Sequence, residues 1–204
     1  MLKTHHYEDK SYELALQKCL TELNTTENDL YVKTTEAEGK LFKAKKVELS
    51  VLKKEDVRLY IKDYIDMIAQ GMGIEIQSEI KEVDDIFQVI LVSNENGILI
   101  GKDGRTLNAI QLLIRQSIQV LTNFNIKVNI DAGNYKAKKI KNFEHEMKKI
   151  MNEVQRTKIN AKLDPMNSYQ RRLVHHLANQ YEHLSTKSYG EGKDRYIEIQ
   201  YHEN

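Results

Sequence analysis

The stretch Leu99-Ile100-Gly101-Lys102-Asp103-Gly104-Arg105-Thr106-Leu107 sets a G-x-x-G turn between two apolar segments. Two glycines three apart leave the backbone without Cβ atoms where another chain would come closest. That permits φ > 0 and lets a phosphodiester approach within contact distance. Alone the pattern is unspecific, because any tight turn between helices can use two glycines. Its surroundings decide what it means.

The chain has 204 residues, more than one small domain needs, which suggests two or three units. With 40% hydrophobic and 30% charged residues it is a foldable chain with a modest core in each unit. No apolar run approaches the roughly 20 residues of a membrane span, and the first residues lack a signal-peptide pattern. The single cysteine, Cys19, falls on a helical apolar stripe, reads as a buried thiol and points to a reducing cytosol. A net charge of +1 hides an asymmetry. Residues 1–96 hold 13 Lys and Arg against 19 Asp and Glu, a balance of −6, whereas residues 97–204 hold 18 against 11, a balance of +7. A polyanion would therefore meet the back of the chain, though solvated charge of this size needs no partner.

The front reads as a strand, a helix and a strand pair. Tyr12, Ala15, Leu16, Cys19, Leu20 and Leu23 recur at helical spacing behind a capping Ser11. Residues 30–34 and the alternating Val47, Leu49 and Val51 read as strands, joined by the basic connection 40–46. After a boundary at residues 53–56, Val57, Tyr60, Ile61, Tyr64, Ile65 and Ile68 share one helix face, which should break at Gly71 and Gly73. Two strands follow, on Ile74 to Ile80 and on Ile86 to Val92. The G-x-x-G turn then opens a helix expected to bury Leu107, Ile110, Ile114, Ser117, Ile118 and Leu121, and Ile126, Val128 and Ile130 mark a further strand. This order resembles a KH domain of the type II arrangement over residues 54–132, a family in which the turn joins two helices.

Beyond Tyr135 lies a basic helix expected to bury Ile140, Phe143, Met147, Ile150 and Val154, then a short strand over Ile159 to Leu163, stopped by Asp164-Pro165. Asn167 and Gln170 have capping-box spacing. The helix they open should bury Tyr169, Leu173, Leu177 and Tyr181, and a turn at Gly190 and Gly192 precedes a last strand at 196–199. On that helix Arg171 and His175 are four apart, which puts them within about 40° of each other. Measured from a buried Leu173 their face is solvated, while Arg172 and His176 repeat the spacing on a face turned toward the core. An Arg fork beside an imidazole near a helix N-terminus suits a phosphate oxygen, although an ordinary solvated helix face would look the same.

Asp164-Pro165-Met166-Asn167, Arg171-Arg172-Leu173-Val174-His175 and Ser188-Tyr189-Gly190-Glu191-Gly192 with Arg195 resemble the R-three-H domain, named for its R-x-x-x-H signature, over residues 135–204. A small β-α-β-β domain (1–52), a type II KH domain (54–132) and an R-three-H domain in this order resemble the bacterial Jag family, also called KhpB or EloR. The expected fold is thus α+β in three small domains. The chain departs from the family at Ala44, where the front domain's basic loop usually has glycine, and in having no long charged linker.

The resemblance implies a non-catalytic, cytoplasmic regulator that binds single-stranded RNA, with single-stranded DNA as the other option. It implies post-transcriptional control of cell elongation, division and wall synthesis. It also implies a second small KH protein as partner, with a homodimer or a membrane-associated partner as alternatives. Candidate contacts are Gly101, Lys102, Asp103, Gly104 and Arg105 at the turn, and Arg171, Arg172 and His175 on the helix. Lys102 would neutralise a phosphate, and Asp103 would repel one. Arg105 is either a contact or a solvated first-turn residue, and Ile98 and Ile100 are either groove or core. The lysines 136, 138, 139 and 141 are either contacts or an exposed face. A competing reading is an interaction scaffold, with the acidic front docking a protein. Nothing points to catalysis or a cofactor. His145 lacks the second histidine of H-E-x-x-H, and His175, His176 and His183 lack a carboxylate at ligand spacing.

Overall fold

A computed structural model of the chain describes residues 2–37 and 46–203. The basic connection therefore lies outside the described residues, apart from Lys46. The chain divides into two compact units, Met1–Gly133 and Asn134–Asn204.

The first unit holds two sheets. Its front runs β1 (His5–Asp9), α1 (Tyr12–Leu23), β2 (Leu30–Ala37) and β3 (Lys46–Lys53), with β3 central in the order β1-β3-β2 and both pairings antiparallel. Ser11 accepts from the Leu14 N–H at 3.4 Å, which starts α1 where expected. Ala15 and Cys19, one turn apart, pack on Leu49 and Val51 in a fully enclosed core, so the thiol is buried. Burial pushes its pKa up, which keeps it protonated.

The second sheet begins without a linker. Helix α2 (Lys54–Met72) starts at the residue after β3 and buries Val57, Ile61, Ile65 and Ala69 at helical spacing. Gly71 lies inside this helix, contrary to expectation. The stop is Gly73, whose φ of 68° makes the left-handed cap. Strands β4 (Ile76–Val83) and β5 (Ile86–Ser93) form a hairpin, then α3 (Asn96–Ile100), α4 (Arg105–Thr122) and β6 (Lys127–Ala132) complete the order. Strand β6 pairs parallel to β5, and a parallel pair needs a crossover, which α3 and α4 supply. This is the element order expected of a type II KH fold. Phe87, Val89 and Leu91 on β5 and Leu107, Ile110, Ile114 and Ile118 on α4 are buried, while Ile90 and Val92 face outward. Of the face expected to be buried on α4, Ser117 is half-buried and bonded to the Tyr60 hydroxyl on α2, and Leu121 is exposed. Thr122 takes the buried place at the helix end.

The two sheets are fastened within this unit. Lys54 Nζ lies 2.6 Å from Glu82 Oε1 and 3.0 Å from Asp85 Oδ1, and 5.2 Å from the centre of the Tyr31 ring. Tyr31 on β2 donates to Glu82 at 3.4 Å and packs on Phe87. Burial, with Glu82 close by, pushes the Tyr31 phenol up to about 12, and the hydrogen bond to Glu82 holds Lys54 well above its ordinary value.

The second unit packs α5 (Tyr135–Thr157) and α6 (Ser168–Ala178) on a sheet of β7 (Ala161–Lys162), β8 (Leu184–Tyr189) and β9 (Tyr196–Tyr201), in the order β7-β9-β8, all antiparallel. Its core joins Met147, Met151, Val154, Val174, Leu177, Ile197 and Ile199. Three expectations are corrected. Ile140 and Tyr169 are exposed, and the strand expected over 159–163 shrinks to two residues, with Ile159 outside it and 70% exposed. The chain after β7 still follows β9, since the Leu163 N–H donates to Ile197 O at 2.9 Å and the Met166 N–H to Arg195 O at 3.1 Å.

Candidate nucleic-acid interface

The turn between α3 and α4 is set by three successive backbone demands. Gly101 sits at φ 70°, ψ 177°, a region essentially closed to residues with a Cβ. Asp103 and Gly104 are both left-handed, at φ 56° and 78°, and the Gly104 N–H donates to Gly101 O at 3.2 Å. A Cβ on Gly101 would fall 2.1 Å from Thr106 Oγ1 and 3.1 Å from its backbone nitrogen. The first glycine is thus demanded from within, by Thr106, as well as by any ligand outside. Gly104 is buried and serves the entry into α4, whereas Gly101 is half-exposed and Lys102, Asp103 and Arg105 are exposed.

Electrostatically the turn presents the start of an 18-residue helix whose N-cap, a glycine, offers no side-chain acceptor. The first-turn N–H groups and the helix dipole therefore favour an anion there, with Lys102 and Arg105 adding positive charge and the Asp103 carboxylate opposing it. Beside it, Ile98 is 51% exposed, Leu99 is fully buried and Ile100 is intermediate. Ile98 is thus surface rather than core.

The second candidate site is a corner between α6 and β8. The capping box is formed: the Gln170 N–H donates to Asn167 Oδ1 at 3.0 Å and the Asn167 N–H to Gln170 Oε1 at 3.2 Å. One turn on, Arg171 Nη1 donates to the Met166 carbonyl at 2.8 Å. His175 Nδ1 is bonded to the Thr186 hydroxyl, and its Nε2 lies 3.4 Å from Ser188 Oγ. The imidazole is therefore held at both nitrogens by one strand.

This placement corrects the expected orientation of the helix. Its buried stripe is Val174, Leu177 and Ala178, not one centred on Leu173. Arg171 and His175 flank that stripe and are half-buried, while Arg172 and His176, expected on the core side, are exposed. The sequence does not single out Thr186 and Ser188 as partners of His175, because the inner side of β8, Leu184, Thr186 and Ser188, carries one apolar residue and so no apolar alternation.

The structure gathers Gly101 to Arg105 in the first unit and Arg171, Arg172 and His175 in the second. Among the described residues no three of His, Cys, Asp or Glu are grouped to hold a metal ion, and no helix is long and apolar enough to cross a membrane.

Both units are similar to known protein families. Residues 58–130 match the KH domain of the KhpA/KhpB proteins, and residues 141–201 match the R-three-H domain; neither is an enzyme family. A curated relative from Clostridium symbiosum, named RNA-binding protein KhpB, is 30% identical over 195 residues, covering 93% of this chain and 88% of its own. One of the same name from Bacillus subtilis is 26% identical over 93% of this chain and 94% of its own. A third, from Lactiplantibacillus plantarum, is 28% identical over 65% of this chain and 40% of its own.

Proposed function

The chain belongs to the KhpB family, and we propose that it is a non-catalytic protein that binds single-stranded RNA in the bacterial cytoplasm. The observation that carries this reading is the turn at 101–105. It joins a backbone bend reserved for glycine, an N-cap without a side-chain acceptor and two exposed cations within five residues. A phosphate seated there takes N–H bonds from the start of α4 and charge from Lys102 and Arg105, while bases lie toward Ile98. In the second unit Arg171, fixed by the Met166 carbonyl through one of its five donors, offers the rest to another phosphate, which gains a hydrogen bond from His175 only by displacing the 3.4 Å contact of its Nε2 with Ser188. Arg172, exposed on the adjoining face, adds charge. By family membership we assign the bound RNA a regulatory use, in control of cell elongation, division and wall synthesis.

The test is a salt titration of the full chain with a mixed-sequence single-stranded RNA about twelve nucleotides long. Each neutralised phosphate contributes about −0.7 to the slope of log K against log salt. Lys102→Glu with Arg105→Glu, both at exposed positions, should weaken binding and flatten the slope by about 1.4. Unchanged binding in this variant would remove the turn from the interface.

A protein partner is favoured by a separate observation. Ala109, Leu113, Gln116 and Val120 form an exposed stripe along α4, with Val120 80% and Leu113 48% exposed. A small KH-domain protein or a second copy of this chain would cover it. Val120→Glu should then shift sedimentation toward the lone chain without lowering RNA affinity. A scaffold for a membrane-associated protein instead requires capture that survives Lys102→Glu/Arg105→Glu and tolerates the loss of RNA.

A further inference from the structure

We propose that the outer face of the β7-β9-β8 sheet is a stacking platform for an unpaired base of single-stranded RNA, a contact separate from the corner at Arg171 and His175. The inference rests on the RNA-binding reading above and adds a third surface to it. Ile197 and Ile199 point into the core of the second unit, so Tyr196, Glu198 and Gln200 point out on the opposite side. The register places Tyr189 across from Tyr196, and Lys187 and Lys162 on either side of Glu198.

The two tyrosine rings are stacked, with centroids 5.8 Å apart and planes 26° from parallel. Each carries a lysine: Lys162 Nζ lies 4.5 Å from the centre of Tyr196, and Lys187 Nζ 5.4 Å from that of Tyr189. The pair is held from below. Gln200 donates to the Tyr189 hydroxyl at 3.3 Å, and the loop beneath is closed so tightly that a Cβ on Gly190 would fall 2.8 Å from Asp194 O. The acid at the centre of the face, Glu198, has its Oε1 taken by amide donors of Gln200 at 3.0 Å and Asn160 at 3.4 Å.

A half-buried aromatic pair with an exposed cation on each ring matches the two parts of a nucleotide, a flat base and a phosphate a few ångströms away. The magnitudes favour the exchange. A cation over an exposed ring is worth less than a base stacked on one, so a base displaces the lysine, and the released ammonium moves to the neighbouring phosphate. Both groups find a better partner, and the rings need no rearrangement.

The experiment uses the full chain and a single-stranded RNA about twelve nucleotides long carrying 5-iodouridine, irradiated at long wavelength and mapped by mass spectrometry. The platform predicts a uridine adduct on Tyr189 or Tyr196. It also predicts that Tyr189→Leu/Tyr196→Leu, with its fold checked by circular dichroism, binds the RNA about five- to 150-fold more weakly at a nearly unchanged salt slope. Lys162→Gln/Lys187→Gln should instead flatten the slope. Full affinity in the leucine variant, with adducts confined to other residues while Lys102→Glu/Arg105→Glu still weakens binding, overturns the platform and leaves the RNA reading standing. No binding by the unaltered chain at low salt overturns both.

Discussion

Thr106 decides what Gly101 can become. With its Oγ1 2.1 Å from the place of a Cβ, and a backbone conformation reserved for glycine, Gly101→Ala should cost about 1–3 kcal/mol of stability, read from urea unfolding. A loss below about 0.5 kcal/mol would mean that the turn relaxes and that its shape is not dictated by the chain. Arg171 poses the opposite question, since its role depends on the head group rather than the backbone. A guanidinium has five donors and can hold the Met166 carbonyl and an oxyanion together, whereas an ammonium is a point charge on a flexible stem. Arg171→Lys is therefore expected to keep the net charge and the fold yet weaken RNA binding by about 1–2 kcal/mol, measured by fluorescence anisotropy. Equal affinity would reduce Arg171 to a loop fastener.

Among the elements, the joint between the front sheet and the β4–β5 hairpin has the clearest pH signature. Tyr31 and Lys54 both hold their protons more tightly in the folded chain than in the unfolded one. Their contribution is fully present below pH 10 and fades as pH rises through about 12, where the phenol loses its proton. Urea midpoints should thus decline through this window, less so in Tyr31→Phe; a parallel decline in both proteins would exclude the tyrosine. The joint itself was not legible in the residues, because it depends on Lys54 meeting Glu82 and Asp85 across some thirty positions. What periodicity could deliver it did: α2, β5, α4 and β6 lie where apolar spacing put them, since each buries one face, and β4 follows the same alternation with a half-buried side. It misled where an apolar residue had no wall to pack on, as at Leu121, Ile140, Ile159 and Tyr169. On α6 the spacing of Leu173 and Leu177 favoured a stripe one step away from the one that packing of α6 in the second unit's core selects, Val174 with Leu177 and Ala178. That single step turned Arg171 and His175 from a free face into a braced corner.

At the scale of the whole molecule, the −6 and +7 halves assign opposite tasks to the two ends of the chain, with both candidate backbone contacts in the basic part. Their linkage in one chain makes the second contact intramolecular once the first has formed, so modest sites can sum to useful affinity. The G-x-x-G turn and the R-x-x-x-H spacing were legible because each is a local pattern. The hydroxyls of Thr186 and Ser188 that brace His175, and the demand of Thr106 on Gly101, became visible only in three dimensions. The central claim is that these two places grip the strand. Amide shifts of the isotope-labelled full chain, titrated with single-stranded RNA about twelve nucleotides long, test it most directly. The largest changes are predicted at Gly101 to Thr106 and at Arg171, His175, Thr186 and Ser188; changes confined to the front sheet, or none at low salt, would contradict it.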